Sequence, residues 1–245
     1  MRVSLFDQGV HLDCVLERPA EAPEKQPLAV ILHGFTGNKE ERHILAVCRS
    51  LRDCGFATLR LDLYGHGQSG GSFRDHTIPK WVSNAVTAID YAAGLDFVSE
   101  LWLGGHSQGG LTAMLAGSCR RDRVDGLILL SPAYMIPDGA RMGSILGGVF
   151  DPANVPDEIY LGPQRILDGN YIRSAQTIDA DAAARSFNGP VLLIHGTADA
   201  TVPFRWGEQT AALYRNCTLV PIEGDTHCYD RHLDQVTEAI RSFFS

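Results

Sequence analysis

The chain has 245 residues, 44% of them hydrophobic, and a formal net charge of −8 at pH 7. That supplies one large core, while the acidic balance excludes a nucleic-acid binder, whose phosphate contacts need a basic face. No apolar run approaches the roughly 18 residues of a membrane span, and Met1-Arg-Val-Ser-Leu-Phe-Asp7 has no continuous apolar stretch of the kind that directs export.

The expected elements follow in chain order. Val3–Phe6 and Leu12–Glu17, joined by Asp7-Gln-Gly9, read as an antiparallel hairpin. Strands are then predicted at Leu28–Leu32, Ala57–Leu61, Leu101–Leu103, Gly126–Leu130, Val191–Ile194 and Thr218–Pro221. Helical patterns lie among them near Lys39–Asp53, Pro79–Ala93, Gln108–Arg120, Phe204–Leu213 and Leu233–Phe244. From Leu28 onward the strands are continuously apolar, as parallel strands covered on both faces must be. The expected fold class is therefore α/β, a mostly parallel twisted sheet of about eight strands flanked by helices. Residues 1–245 are read as a single domain. About fifty residues after Ser131 break the rhythm, far more than a crossover needs. They are rich in proline (132, 137, 152, 156, 163), yet Tyr134, Met135, Ile145, Leu146, Phe150 and Ile159 require burial. A folded lid over approximately residues 132–181, inserted after the sixth strand, is the expectation.

The six cysteines (14, 48, 54, 119, 217, 228) form no CxxC pair and fall mostly in predicted strands or helices, as reduced buried thiols do in a cytoplasmic protein.

Leu101–Leu103 runs into Gly105-His-Ser107-Gln-Gly109 and then into an Ala-, Leu- and Met-rich helix. Strand, sharp turn and helix is the context that makes this motif a nucleophile elbow. A serine hydroxyl needs a positioned base. His227, in the loop Glu223-Gly-Asp-Thr-His227 between the last strand and the last helix, is the candidate among nine histidines. His106 is expected to point away from the serine, because it precedes it on the turn. For the orienting acid, Asp199 ends the segment that follows Val191–Ile194, whereas Asp225 lies only two residues before His227, too close to reach its far nitrogen. Asp199 would accept Nδ1–H of His227 and fix the tautomer. His33-Gly-Phe-Thr-Gly37 offers free N–H groups at the same sheet edge, so the N–H groups of Phe35 and Gln108 are the expected oxyanion donors. No Lys-Ser/Thr pair follows those glycines as a phosphate loop requires, and the glycine spacing of Tyr64-Gly-His-Gly67 does not fit a dinucleotide site. No clustered Cys/His spacing suggests a metal. Neither a cofactor nor a metal is expected.

In order and spacing, His33-Gly-Phe-Thr-Gly37, Asp62-Leu-Tyr-Gly-His-Gly-Gln-Ser69, Gly105-His-Ser-Gln-Gly109, His195-Gly-Thr-Ala-Asp199 and Gly224-Asp-Thr-His227 resemble the α/β-hydrolase superfamily over nearly the whole chain. The HGFTG loop, the GHSQGG elbow and the GDTHCY ending, with a lid of this length, resemble the bacterial feruloyl/cinnamoyl esterases more narrowly. That resemblance implies a serine carboxylic-ester hydrolase acting on hydroxycinnamoyl (feruloyl, p-coumaroyl, caffeoyl) esters. By the same resemblance Asp138 and Tyr171 match lid positions that contact the phenolic ring. The implied partner is a small phenolic ester, with no nucleic acid and no membrane, and a homodimer stays open beside a monomer. A general carboxylesterase or monoglyceride-type lipase, an acyltransferase using the same acyl-enzyme, and a non-catalytic hydrolase-like binder remain alternatives.

Overall fold

A computed structural model describes residues 1–161 and 165–245. Pro163, counted above among the lid prolines, lies outside the described residues. Elements β1 (Arg2–Asp7), β2 (Val10–Glu17), β3 (Gln26–Leu32), α1 (Arg42–Asp53), β4 (Ala57–Leu61), α2 (Ile78–Ala93), β5 (Val98–His106), α3 (Gln108–Cys119) and β6 (Gly126–Leu130) precede the insertion. Within and after it come α4 (Ile136–Met142), β7 (Ser144–Ile145), β8 (Gly148–Val149), β9 (Glu158–Tyr160), β10 (Ile166–Asp168), α5 (Asn170–Gln176), α6 (Ala180–Ser186), β11 (Val191–Gly196), α7 (Arg205–Leu213), β12 (Cys217–Ile222) and α8 (Leu233–Phe243).

The main sheet has eight strands in the order β1-β2-β4-β3-β5-β6-β11-β12. β1 pairs antiparallel with β2, and β2 antiparallel with β4, while the other pairings are parallel. The central strands alternate between two cores. Leu28, Val30 and Leu32 of β3 face the side covered by α2 and α3, and Ala29 and Ile31 face the side covered by α1 and α8. Each fully buried Leu, Ile or Val contributes about 1.5–3 kcal/mol relative to exposure, which is why these runs lack the polar alternation of a solvated strand. Pro221 lies in β12, at the sheet's edge, where its missing N–H costs no inner ladder bond.

The order β4-β3-β5 contains the switch point. From β3 the chain moves outward to β4, then returns to lay β5 on the other side of β3. Helices α1 and α3, which follow β3 and β5, depart to opposite faces and leave a crevice at the strand ends, where ligands bind in open α/β sheets.

Between β6 and β11 the chain builds two short antiparallel ribbons and three seven-residue helices. Ile136, Ala140, Ile145, Ile159, Leu167, Tyr171, Ile172 and Ala175 pack onto Ile78, Leu111 and Val202 of the main body. Tyr134, Met135 and Phe150 are partly buried, as expected, but Leu146 stays 37% exposed. The last helix of this stretch continues to Ser186, beyond the expected end at 181. Asp179 caps it by accepting the N–H of Ala182 at 2.8 Å. Among the described residues no helix is long and apolar enough to cross a membrane. Of the cysteines, 14 and 48 are buried, 54, 217 and 228 partly so, and Cys119 at the end of α3 is exposed, unlike the buried thiol expected there.

Candidate active site

Ser107 stands between the end of β5 and the start of α3, with φ 55° and ψ −119°. A non-glycine residue in that region is strained and persists only where its surroundings over-determine it. Here they do. The Ser107 N–H donates to Leu130 O at 2.9 Å, and its carbonyl accepts from Leu111 at 3.1 Å and Ala133 at 2.9 Å. The flanking glycines are steric requirements, since a Cβ at Gly105 would overlap the Gly109 carbonyl, and one at Gly109 would overlap the His33 carbonyl.

His227 and Ser107 line one cavity of about 320 Å³, with Phe35, Glu41, His106 and Cys228 among its walls. The Nδ1–H of His227 donates to Asp199 Oδ2 at 2.6 Å, leaving its Nε2 as the free acceptor. Asp199 is buried in the loop that follows β11, and its Oδ1 accepts the N–H groups of Thr201 and Val202, each at 2.8 Å. Burial pushes the Asp199 carboxyl up, but hydrogen bonding from His195 and His227 outweighs it and holds the group well below the usual carboxylate range. The carboxylate is therefore charged when the imidazole needs a counter-charge.

Asp225, the rejected acid, has a different task. It is fully buried and accepts the backbone N–H groups of Thr226 at 2.8 Å, Arg231 at 3.1 Å and His232 at 3.1 Å. It shapes the loop that carries His227.

Among the described residues no protein acceptor takes the N–H of Phe35 or of Gln108. The second of these opens α3, where the helix dipole adds positive potential. The Phe35 loop is held from the side. His66 Nε2 accepts the Thr36 N–H at 3.3 Å, and His33 Nε2 accepts the Leu63 N–H at 3.0 Å. Beneath them Lys39 is 2% exposed and pairs with Asp13 and Asp62, each at 2.6 Å. Burial alone would lower the Lys39 pKa, yet the two carboxylates raise it, so the cation persists. Sequence reading missed this brace, for which Asp62-x-x-Gly-x-Gly-x-Ser69 was the available signal.

His106 has a partner that the sequence reading did not foresee. Its Nε2–H donates to the backbone carbonyl of His227 at 2.8 Å, with the two rings 4.6 Å apart. On its other side the His43 ring lies at 4.3 Å. Burial pushes His106 well below the ordinary histidine range and His43 down to about 4, so both stay neutral beside the base. The contact spans 121 residues, which no local pattern encodes. Cys228, also on the wall, is pushed up by burial and stays a thiol.

Asp138 and Tyr171, the two residues expected to contact a phenolic ring, are placed apart from this cavity. Asp138 pairs with Arg141 at 2.9 Å in a separate small cleft beside Tyr134 and Asp181. Tyr171 is fully buried and donates its hydroxyl to Gln108 Oε1 at 2.7 Å. Among the described residues of the insertion, Leu146, Leu161 and Arg165 reach the Ser107 cavity. Among the described residues no group of three His, Cys, Asp or Glu side chains could hold a metal ion.

A strained serine beside a carboxylate-bound imidazole and two free N–H groups is equipped for acyl transfer. A family model described as serine aminopeptidase, S33 matches residues 23–155, and one described as TAP-like protein matches residues 171–245. The chain is 50% identical to Est1E from Butyrivibrio proteoclasticus in a structure with ferulic acid bound, covering 98% of this chain and 97% of that one with a TM-score of 0.96. It is 25% identical over 193 residues to ABHD12B of Homo sapiens, covering 78% of this chain and 50% of that protein. It is 24% identical over 196 residues to the mitochondrial palmitoyl-protein thioesterase ABHD10 of Homo sapiens, covering 76% of this chain and 61% of the relative. The chain thus spans about half to three-fifths of the length of these two curated relatives.

Proposed function

This chain belongs to the α/β-hydrolase family, and from that membership we propose that it is a serine esterase for hydroxycinnamoyl esters. In this reading Ser107 is the nucleophile, His227 the base and Asp199 its orienting acid, with Phe35 and Gln108 N–H groups as the oxyanion hole. Ser107 Oγ attacks the ester carbonyl as His227 Nε2 takes its proton. Charge that builds on the carbonyl oxygen is met by the two N–H donors, while Asp199 stabilises the imidazolium. Collapse of the tetrahedral intermediate expels the alcohol, which takes the proton from His227 Nε2. A water then attacks the acyl-enzyme, His227 again serving as base, and the acid leaves with Ser107 restored.

The chemistry is supported by the His227–Asp199 bond beside a strained serine with two free donors. The substrate class rests on one observation, the 50% identity to a protein whose structure holds ferulic acid. In the same reading residues 132–181 act as the lid, presenting Leu146 and Leu161 to the acyl group.

The reading is tested by comparing kcat/KM on methyl ferulate and methyl p-coumarate with that on p-nitrophenyl acetate and butyrate. It expects the hydroxycinnamoyl esters to be preferred. Equal or greater efficiency on the aliphatic series would support the general esterase instead.

A further inference from the structure

Tyr171 stands where the insertion meets both oxyanion donors. It lies in α5, its ring is fully buried, and its hydroxyl donates to Gln108 Oε1 at 2.7 Å across 63 residues of sequence. Gln108 is itself fully buried, and its Nε2 has no partner among the described residues. The tyrosine hydroxyl is therefore the side-chain bond that fixes the Gln108 amide. On the other flank the Tyr171 ring meets the Phe35 ring edge-on at 6.5 Å and the His76 ring at 5.2 Å. Phe35 and Gln108 are the two residues read as oxyanion donors, and among the described residues neither backbone N–H has a protein acceptor.

We infer that Tyr171 is a positioning residue that sets the oxyanion hole from the insertion rather than a ligand for the substrate's phenol. The inference rests on the reading of Phe35 and Gln108 as oxyanion donors. Three features favour this role over a phenol contact. The hydroxyl proton is already spent on Gln108, the ring has no exposed surface, and Tyr171 is absent from the walls of the Ser107 cavity. Burial also pushes the phenol above its ordinary range, so it remains a donor. Oxyanion donors act only when aimed at the place where charge develops. A bond that fixes the residue carrying one of them, and a ring packed on the residue carrying the other, make the insertion part of that aim.

The experiment is Tyr171→Phe, which deletes the hydroxyl and keeps the ring, assayed on methyl p-coumarate, on methyl cinnamate, which lacks the phenol, and on p-nitrophenyl acetate. Removal of a whole oxyanion donor costs about 10²–10³ in kcat, so its misplacement is expected to cost about tenfold. The expected result is that loss in kcat on all three esters, with KM within about twofold of the parent. A rise in KM confined to methyl p-coumarate would assign the hydroxyl to the phenol and overturn the inference, as would an unchanged kcat throughout. Gln108→Leu removes the acceptor, and on that background Tyr171→Phe is expected to cost less than about twofold. Independent, multiplying losses would overturn the inference as well. If both methyl esters resist hydrolysis while p-nitrophenyl acetate is turned over, the hydroxycinnamoyl reading fails, and kcat on the acetate still decides the role of Tyr171.

Discussion

The loops at the ends of β3, β5, β11 and β12 and the stretch between β6 and β11 solve opposite problems. The first set carries Phe35, Ser107, Asp199 and His227, the first three just beyond strands buried on both faces. The insertion has ribbons of two or three residues per strand and helices of seven, and it depends on the main body for part of its core. Rigid strands hold reacting groups to the tolerance that acyl transfer demands. Short elements tied by a few apolar contacts can vary in shape without disturbing the serine. In the proposed reading, chemistry belongs to the strand ends and selectivity to the insertion, and Tyr171 joins the two.

Changes at the sheet edge should therefore cost rate, and changes on the insertion should alter preference. Asp199→Asn is expected to lower kcat by about 10³–10⁴-fold through loss of the correct imidazole tautomer. Asp225→Asn is expected to lower the melting temperature with far less effect on kcat, and equal kinetic losses at the two aspartates would break the division of roles. His106→Leu removes the donor to the His227 carbonyl. It is expected to cut kcat about 10–100-fold with KM retained, since a small displacement of the base suffices, and His106→Gln, which keeps an N–H near the same place, should restore part of it. Leu146→Ala on the insertion is expected to raise KM for methyl ferulate by about 3–10-fold, the equivalent of partial loss of one apolar contact. Its effect on p-nitrophenyl acetate and on stability should be small.

The mildest test concerns pH. Burial pushes His33 and His43 down to about 4 and His76 to about 3. In the unfolded chain each titrates near 6.5 and binds a proton that the folded chain refuses. Stability is then full above pH ~6.5 and lost as pH falls toward ~4, at up to about 1.4 kcal/mol per pH unit for each such histidine. Denaturant midpoints measured from pH 7 to pH 4.5 should show this slope, and His43→Gln should reduce it.

Much of the sheet edge was legible because its signals are local. Continuous apolar runs mark the central strands, Gly105 and Gly109 flag the elbow, and two residues of separation disqualify Asp225 while Asp199 follows a core strand. The insertion was legible only as an interruption. Its ribbons are too short to show a period, and whether Tyr171 meets substrate or Gln108 depends on how α5 settles on α3. His106 and Lys39 escaped for a related reason. One acts on a carbonyl 121 residues away, and the other is a buried cation whose partners lie on β2 and beside β4.

The central claim is that Ser107 is an activated nucleophile. Labelling with a fluorophosphonate probe, run on the parent chain and on Ser107→Ala with folding checked by circular dichroism, tests it most directly. The account predicts stoichiometric labelling of the parent and none of the variant, with ester turnover falling by several orders of magnitude. Labelling or turnover that survives in a folded Ser107→Ala chain would contradict it.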